Sequence, residues 1–160
     1  MLPELRYLPA TILVGIRKKM SLLEDRTSSL WQSFMPFHKS IPRRIGSELY
    51  SLQQYPVDYF DSFQVEKEFE KWAAVAVEEA SAISDQMETM TIPEGWYAVF
   101  YYKGPGGDPG IFKYIFNQWL PSSEYRLDQR PHFEILGEKY KNGHPDSEEE
   151  IWIPVVKIAG

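Results

Sequence analysis

Apolar positions along the chain follow two rhythms, one of strands and one of helices, and the chain passes through them in the same order twice. Residues 8–20 begin apolar and end basic, and Ile12, Leu13, Val14 and Ile16 predict a strand. Ser21-Leu22-Leu23-Glu24 has the form of a capping box, which places a helix start near Leu22. Leu23, Leu30, Phe34 and Phe37 share one face of that helix, with Trp31 and Met35 beside it. Pro36 kinks or ends it. Residues 49–55 are β-like and stop at Pro56, whereas residues 57–69 are polar and aromatic without a clean period and read as loop. Residues 72–77 are a β-prone apolar run, and the small, polar residues 80–91 read as a connector.

The second half repeats the order. Residues 96–102 predict a strand, and residues 103–107 a Gly/Pro turn. Asp108 is placed to cap a helix whose first residue is Pro109. Ile111, Phe112, Ile115, Phe116 and Trp119 follow at helical spacing, and Pro121 closes the segment. Residues 133–139 read as a strand, Asn142-Gly143 as a turn, and residues 151–158 as the returning strand, where Pro154 implies an edge or a bulge. Leu8-Pro9 aligns with Ile92-Pro93, and Tyr50 with Glu134, both at an offset of 84. Trp72 aligns with Trp152 at an offset of 80. The fold class expected is therefore α+β: one domain over residues 1–160, with two pseudo-symmetric strand–helix–strand–strand modules (about 8–80 and 92–158) around a central ligand cleft.

Composition changes this picture in three places. Aromatic residues make up 15% of the 160, and the Trp and Tyr among them suit pocket walls. The net charge of −6 and the short basic clusters Arg17-Lys18-Lys19 and Arg43-Arg44 speak against nucleic-acid binding. Without cysteine there is no disulfide, thiolate metal site or thiol nucleophile. No signal peptide and no membrane-spanning run are found, so the chain reads as cytoplasmic, with a monomer as the starting expectation and a weak dimer permitted.

Glu134 is out of place in the apolar run Phe133-Glu134-Ile135-Leu136. Two readings are open: a carboxylate facing water on a half-exposed sheet, or the polar point of a pocket. If buried, its acidity should be weakened. At the chosen offset Tyr50 would face Glu134 across the cleft, or else lie on the surface. Trp119 is a pocket wall or core, and Trp72 and Trp152 are core or rim. Tyr97 and Tyr101 share a strand face from which one lines the cavity, and Phe34 or Met35 reaches the cleft from the first helix, where Trp31 packs on the sheet. His132 shares the parity of Glu134 but reads as exposed. The histidines have no metal-ligand spacing, so no metal and no cofactor are expected. Gly104-Pro-Gly-Gly107 lacks the residues of a phosphate-binding loop, no nucleophile motif is present, and Glu148-Glu149-Glu150 reads as a solvated loop end.

The run Ile92-Pro-Glu-Gly-Trp-Tyr-Ala-Val-Phe-Tyr-Tyr-Lys-Gly104, then Trp119-Leu-Pro121, Arg130-Pro-His-Phe-Glu134 and Ile153-Pro-Val155, resembles the GyrI-like family, the effector-binding domain of AraC- and MerR-type transcription regulators. The resemblance covers residues 8–158. It implies two modules around a cleft that takes hydrophobic, often cationic, compounds (multidrug binding) against a buried glutamate, by position Glu134, with aromatic walls. Those regulators carry a DNA-binding domain ahead of this one, whereas this chain begins almost at its first strand, so a stand-alone binding module is expected. The alternatives are a cofactor-independent hydrolase that uses Glu134 on an electrophile, and a module that inhibits a protein partner such as gyrase. An enzyme is the lesser expectation. The candidate ligand-binding set is Glu134, Tyr50, Trp119, Tyr97, Tyr101, Trp72 and Phe34.

Overall fold

A computed structural model describes residues 1–80 and 84–159. The strands are β1 (Glu4–Leu8), β2 (Thr11–Ser21), β3 (Leu49–Gln54), β4 (Glu68–Val77), β5 (Glu88–Ile92), β6 (Gly95–Lys103), β7 (Tyr125–Leu127), β8 (His132–Leu136) and β9 (Glu148–Lys157). Two helical segments interrupt them, α1 (Thr27–Phe34) and α2, which starts at Pro109–Tyr114. The strands run β1-β6-β9-β8-β3-β4-β2-β5, all antiparallel, and β7 pairs with β9. The centre of the sheet is therefore the pair β3 and β8, one strand from each half. Outward from it lie β4 and β2 on one side, β9 and β6 on the other.

Pro9-Ala10 joins β1 to β2, and Pro93-Glu94 joins β5 to β6, so two-residue links tie together strands at opposite ends of the order. The sheet must curl for both links to close. Inside the curl, Leu13, Leu52, Trp72, Ile92, Tyr97, Val99, Phe133 and Trp152 form one core drawn from seven strands. Gly15 makes the tight part of the curl. A Cβ there would overlap the Ala73 carbonyl oxygen and lie 2.7 Å from the Ala74 Cα.

The outer face carries two separate cores. Leu30 and Phe34 of α1, four residues apart, seal against Val14, Ala73, Val75 and Val77. Ile111, Ile115 and Trp119 of α2 seal against Ala98, Phe100, Ile151 and Ile153. Apolar spacing of four residues on each helix thus explains why each half carries one. The helix α1 begins at Thr27, not near Leu22. The Ser21 hydroxyl accepts from the Glu24 N–H at 2.9 Å, but this closes a turn at the end of β2; the Asp25 carboxylate, one residue before the N-cap Arg26, accepts from the Thr27 N–H at 2.9 Å. Pro36 falls in the 3-10 turn Met35–Ser40 that follows the helix.

In α2 the Asp108 carboxylate accepts from the Gly110 N–H at 2.9 Å and from the Tyr102 hydroxyl at 2.9 Å, with Pro109 first in the helix. Asp108→Ala should lower stability, read as a fall in the denaturant midpoint with an unchanged slope. The helix widens to a π turn at Ile115–Trp119 and finishes at Leu120–Ser122, so Pro121 lies within the last turn. Strand β1, for which the sequence carries no local signal, pairs along its length with β6. One expectation is corrected: the stretch read as a connector contains β5, which pairs with β2; its residues 81–83 lie outside the described ones. Pro154 sits where β9 changes partner from β8 to β7, the break in the ladder that a missing N–H tolerates. Among the described residues no helix is long and apolar enough to cross a membrane.

Candidate functional site

Because α1 covers β2 and β4 and α2 covers β6 and β9, the outer face of the central strands β3 and β8 is left as the floor of a groove between the helices. Side-chain alternation sets what it presents. Leu52 and Phe133 turn into the inner core, so their neighbours Ser51, Gln53, His132 and Glu134 turn outward, with Ser51 opposite Glu134 and Gln53 opposite His132. Lys71 of β4, opposite Gln53, and Glu149 of β9 flank this floor.

Glu134 is half-buried and forms no ion pair among the described residues. Lost hydration pushes its carboxylate from 4.5 up to about 7; Lys71 pulls it down, Glu149 pushes it up, and the Gln53 amide pulls it down. Glu149 is likewise raised by burial and lowered by Lys71. Tyr55 and Tyr140 both stand within the field of Glu134, and burial raises each of them first.

One end of the groove is closed by a strap, residues 55–67. Tyr55 packs against Tyr59, Phe60, Phe69 and His132 at 4.5–5.3 Å between ring centres. Phe60 stacks on His132 and on Phe116 of α2, both at 5.4 Å, so a loop of the first half reaches the helix of the second. The Lys67 ammonium holds the strap in shape by donating to the carbonyls of Asp58, Tyr59 and Ser62. His132 is only 6% exposed, and burial lowers it to about 3, with Arg130 adding to the effect, so it stays neutral. The expectation of an exposed histidine is thus corrected. Cavities of about 270 and 410 Å³ open on either side of Tyr55, and Glu134 lines neither. Among the described residues no cluster of three or more acidic or histidine side chains could hold a metal ion.

Over residues 1–156 the sequence matches the GyrI-like small molecule binding domain. The chain belongs to this family. It is 29% identical over 114 residues to a DNA gyrase inhibitor of Yersinia enterocolitica, covering 62% of this chain and 73% of that protein. Its fold is shared with SAV2435 bound to tetraphenylphosphonium, at a TM-score of 0.75 and 16% identity, covering 98% and 94% of the two chains. The EcmrR C-terminal domain gives a TM-score of 0.70 at 18% identity, over 99% and 100%. At those identities the likeness concerns the fold.

Within this GyrI-like domain the seven candidate residues do not converge. Glu134 lies on the groove floor. Tyr50 lies on the other face, opposite Ile135 and packed on Phe133, where burial pushes its phenol up to about 12. The cause is phase: Ser51, not Tyr50, faces Glu134, and one residue of slip reverses the face of every side chain. Trp72 and Tyr97 are buried inside the curl, with the Tyr97 hydroxyl donating to the Pro131 carbonyl at 2.9 Å. Tyr101 is half-exposed and donates to Glu4. Phe34 lies in the α1 core, and Trp119 in the α2 core against Phe100 and Tyr125. The rings that do gather at the groove end are Tyr55, Tyr59, Phe60 and Phe116. Their one signal was the density of aromatic residues in an otherwise polar, aperiodic stretch, since rings in a loop must find cover somewhere.

Proposed function

We propose that the groove between α1 and α2 binds an apolar, positively charged small molecule, its charge against Glu134 and its rings among the aromatic side chains of the strap and α2. The observation that carries this reading is the state of Glu134: half-buried, without an ion-pair partner, and raised to about 7. Such a carboxylate is held in the charged form best by a cation that enters the same low-dielectric space. Aromatic rings beside a cation add roughly 0.5–2 kcal/mol each. That SAV2435 was captured with tetraphenylphosphonium supplies the natural probe.

Calorimetric titration at pH 8 with tetraphenylphosphonium and with neutral triphenylphosphine oxide tests it. The cation should bind at least about tenfold more tightly, the value of one charge-assisted contact. Equal affinities would remove the role of Glu134, and no binding of either would remove the groove as a ligand site. The same value near 7 suits a general base, so hydrolysis of an electrophile by water activated at Glu134 is a second reading. It requires turnover, which titration of an activated aryl ester would register as continuing heat and to which the two phosphorus probes, having no hydrolysable bond, are blind.

A further inference from the structure

Among the described residues Lys71 is the one cationic side chain flanking the groove floor, and it is not paired with either carboxylate there. It is half-buried on the outer face of β4, opposite Gln53. Among the described residues its ammonium forms one hydrogen bond, to the Thr27 hydroxyl at 3.1 Å, at the first residue of α1. Thr27 in turn donates to the Asp25 carboxylate at 2.5 Å. The ammonium is thus drawn to the α1 wall, while Glu134 stays at the centre of the floor. An ammonium has three N–H donors, and a single hydroxyl engages one of them.

We propose that Lys71 selects the ligand class of this groove: the preferred molecule is a zwitterion, with an aromatic cation whose positive end meets Glu134 and a carboxylate or strong acceptor that meets the Lys71 ammonium. This rests on the binding role proposed above for the groove and adds a second, opposite requirement to it. A bare onium ion against Glu134 would bring a like charge toward Lys71 and displace solvent from its remaining N–H donors without replacing it by an acceptor. A molecule with an anionic group at its other end removes both penalties at once. The electrostatics of the floor agree, since the charge of Lys71 reaches Glu134, Glu149 and Asp25 and lowers all three.

Rhodamine 110 and rhodamine 123 form a matched pair, alike in their cationic ring system and differing in a free carboxylate against its methyl ester. Fluorescence anisotropy at pH 8 should show wild-type protein binding rhodamine 110 about tenfold more tightly than rhodamine 123. Lys71→Met should invert that ratio, and Lys71→Arg should keep it. Equal affinities for the two dyes in the wild type, or a ratio unchanged in a folded Lys71→Met protein, would overturn the assignment. The wild-type ratio needs no variant, so a misfolded substitution does not spoil the test. Tetraphenylphosphonium binding without discrimination between the dyes would leave the groove reading intact and remove only Lys71. Failure of all three probes would remove both.

Discussion

Glu134→Gln is expected to weaken tetraphenylphosphonium binding by roughly 10–100-fold at pH 8 while changing the affinity for a neutral analogue little. The substitution keeps shape and removes charge, so the difference between the two probes isolates the ion pair. The pH profile gives the stronger test. With its carboxylate at about 7, Glu134 is mostly protonated at pH 5.5, and the wild type should bind the cation more weakly there than at pH 8, by up to about 30-fold. The glutamine variant should show a flat profile. Without ligand the sign reverses. A carboxylate raised from 4.5 to about 7 by folding stabilises the native state below 4.5, and that contribution is lost as pH rises through 7. The loss is at most about 3 kcal/mol, since the group is partly solvated. Free Glu134→Gln protein should therefore melt higher than wild type at pH 8 and nearly with it at pH 4.5. A variant that melts lower at both would mean that Glu134 is structurally paired.

Gly15→Ala should be the most destabilising single-methyl change in the chain, by roughly 3 kcal/mol or more. Ordinary overpacking meets side chains that can turn away. Here the new Cβ meets the backbone of Ala73 and Ala74, and β2 is held on its other side by β5, with Gly15 opposite Glu88. Relief requires β2 to lift from β4, which opens the inner core at Leu13. For a domain of this size the melting temperature should fall by about 10 °C. A drop of less than about 3 °C would mean that the curl is set elsewhere.

Several parts of this fold were legible because they are local. The Asp108-Pro109 helix start is written in two adjacent residues, and β6, β8 and β9 in runs of apolar, β-prone side chains. Glu134 was legible as a carboxylate in apolar company. Other parts depend on distant partners. The residues of β1 alternate weakly and are half-exposed, so only β6 makes them a strand. Ser21 carries a helix-capping signal but spends it on a turn, because β2 runs on to that residue. Tyr50 shows the limit of reading repeats without pairing. An alignment one residue out of phase costs nothing in sequence similarity but moves a side chain from the groove to the opposite core. The strap was unreadable as a wall because Phe60 acquires its role only from Phe116 and His132, more than fifty residues away.

The pairing of β1 with β6 also governs the order in which the molecule can be completed. Glu4–Leu8 is synthesised before β6, yet among the described residues its partner in the sheet is Gly95–Lys103, which itself pairs with β9 on its far edge. At about 5–20 residues per second, the first strand waits on the order of 5–20 s for the second to leave the ribosome. Through that interval β2, β3, β4 and β5 have been synthesised, while Glu4–Leu8 has no strand to pair with. The proposed ligand groove joins β3 to β8, so it too is complete only after residues of the second half have emerged.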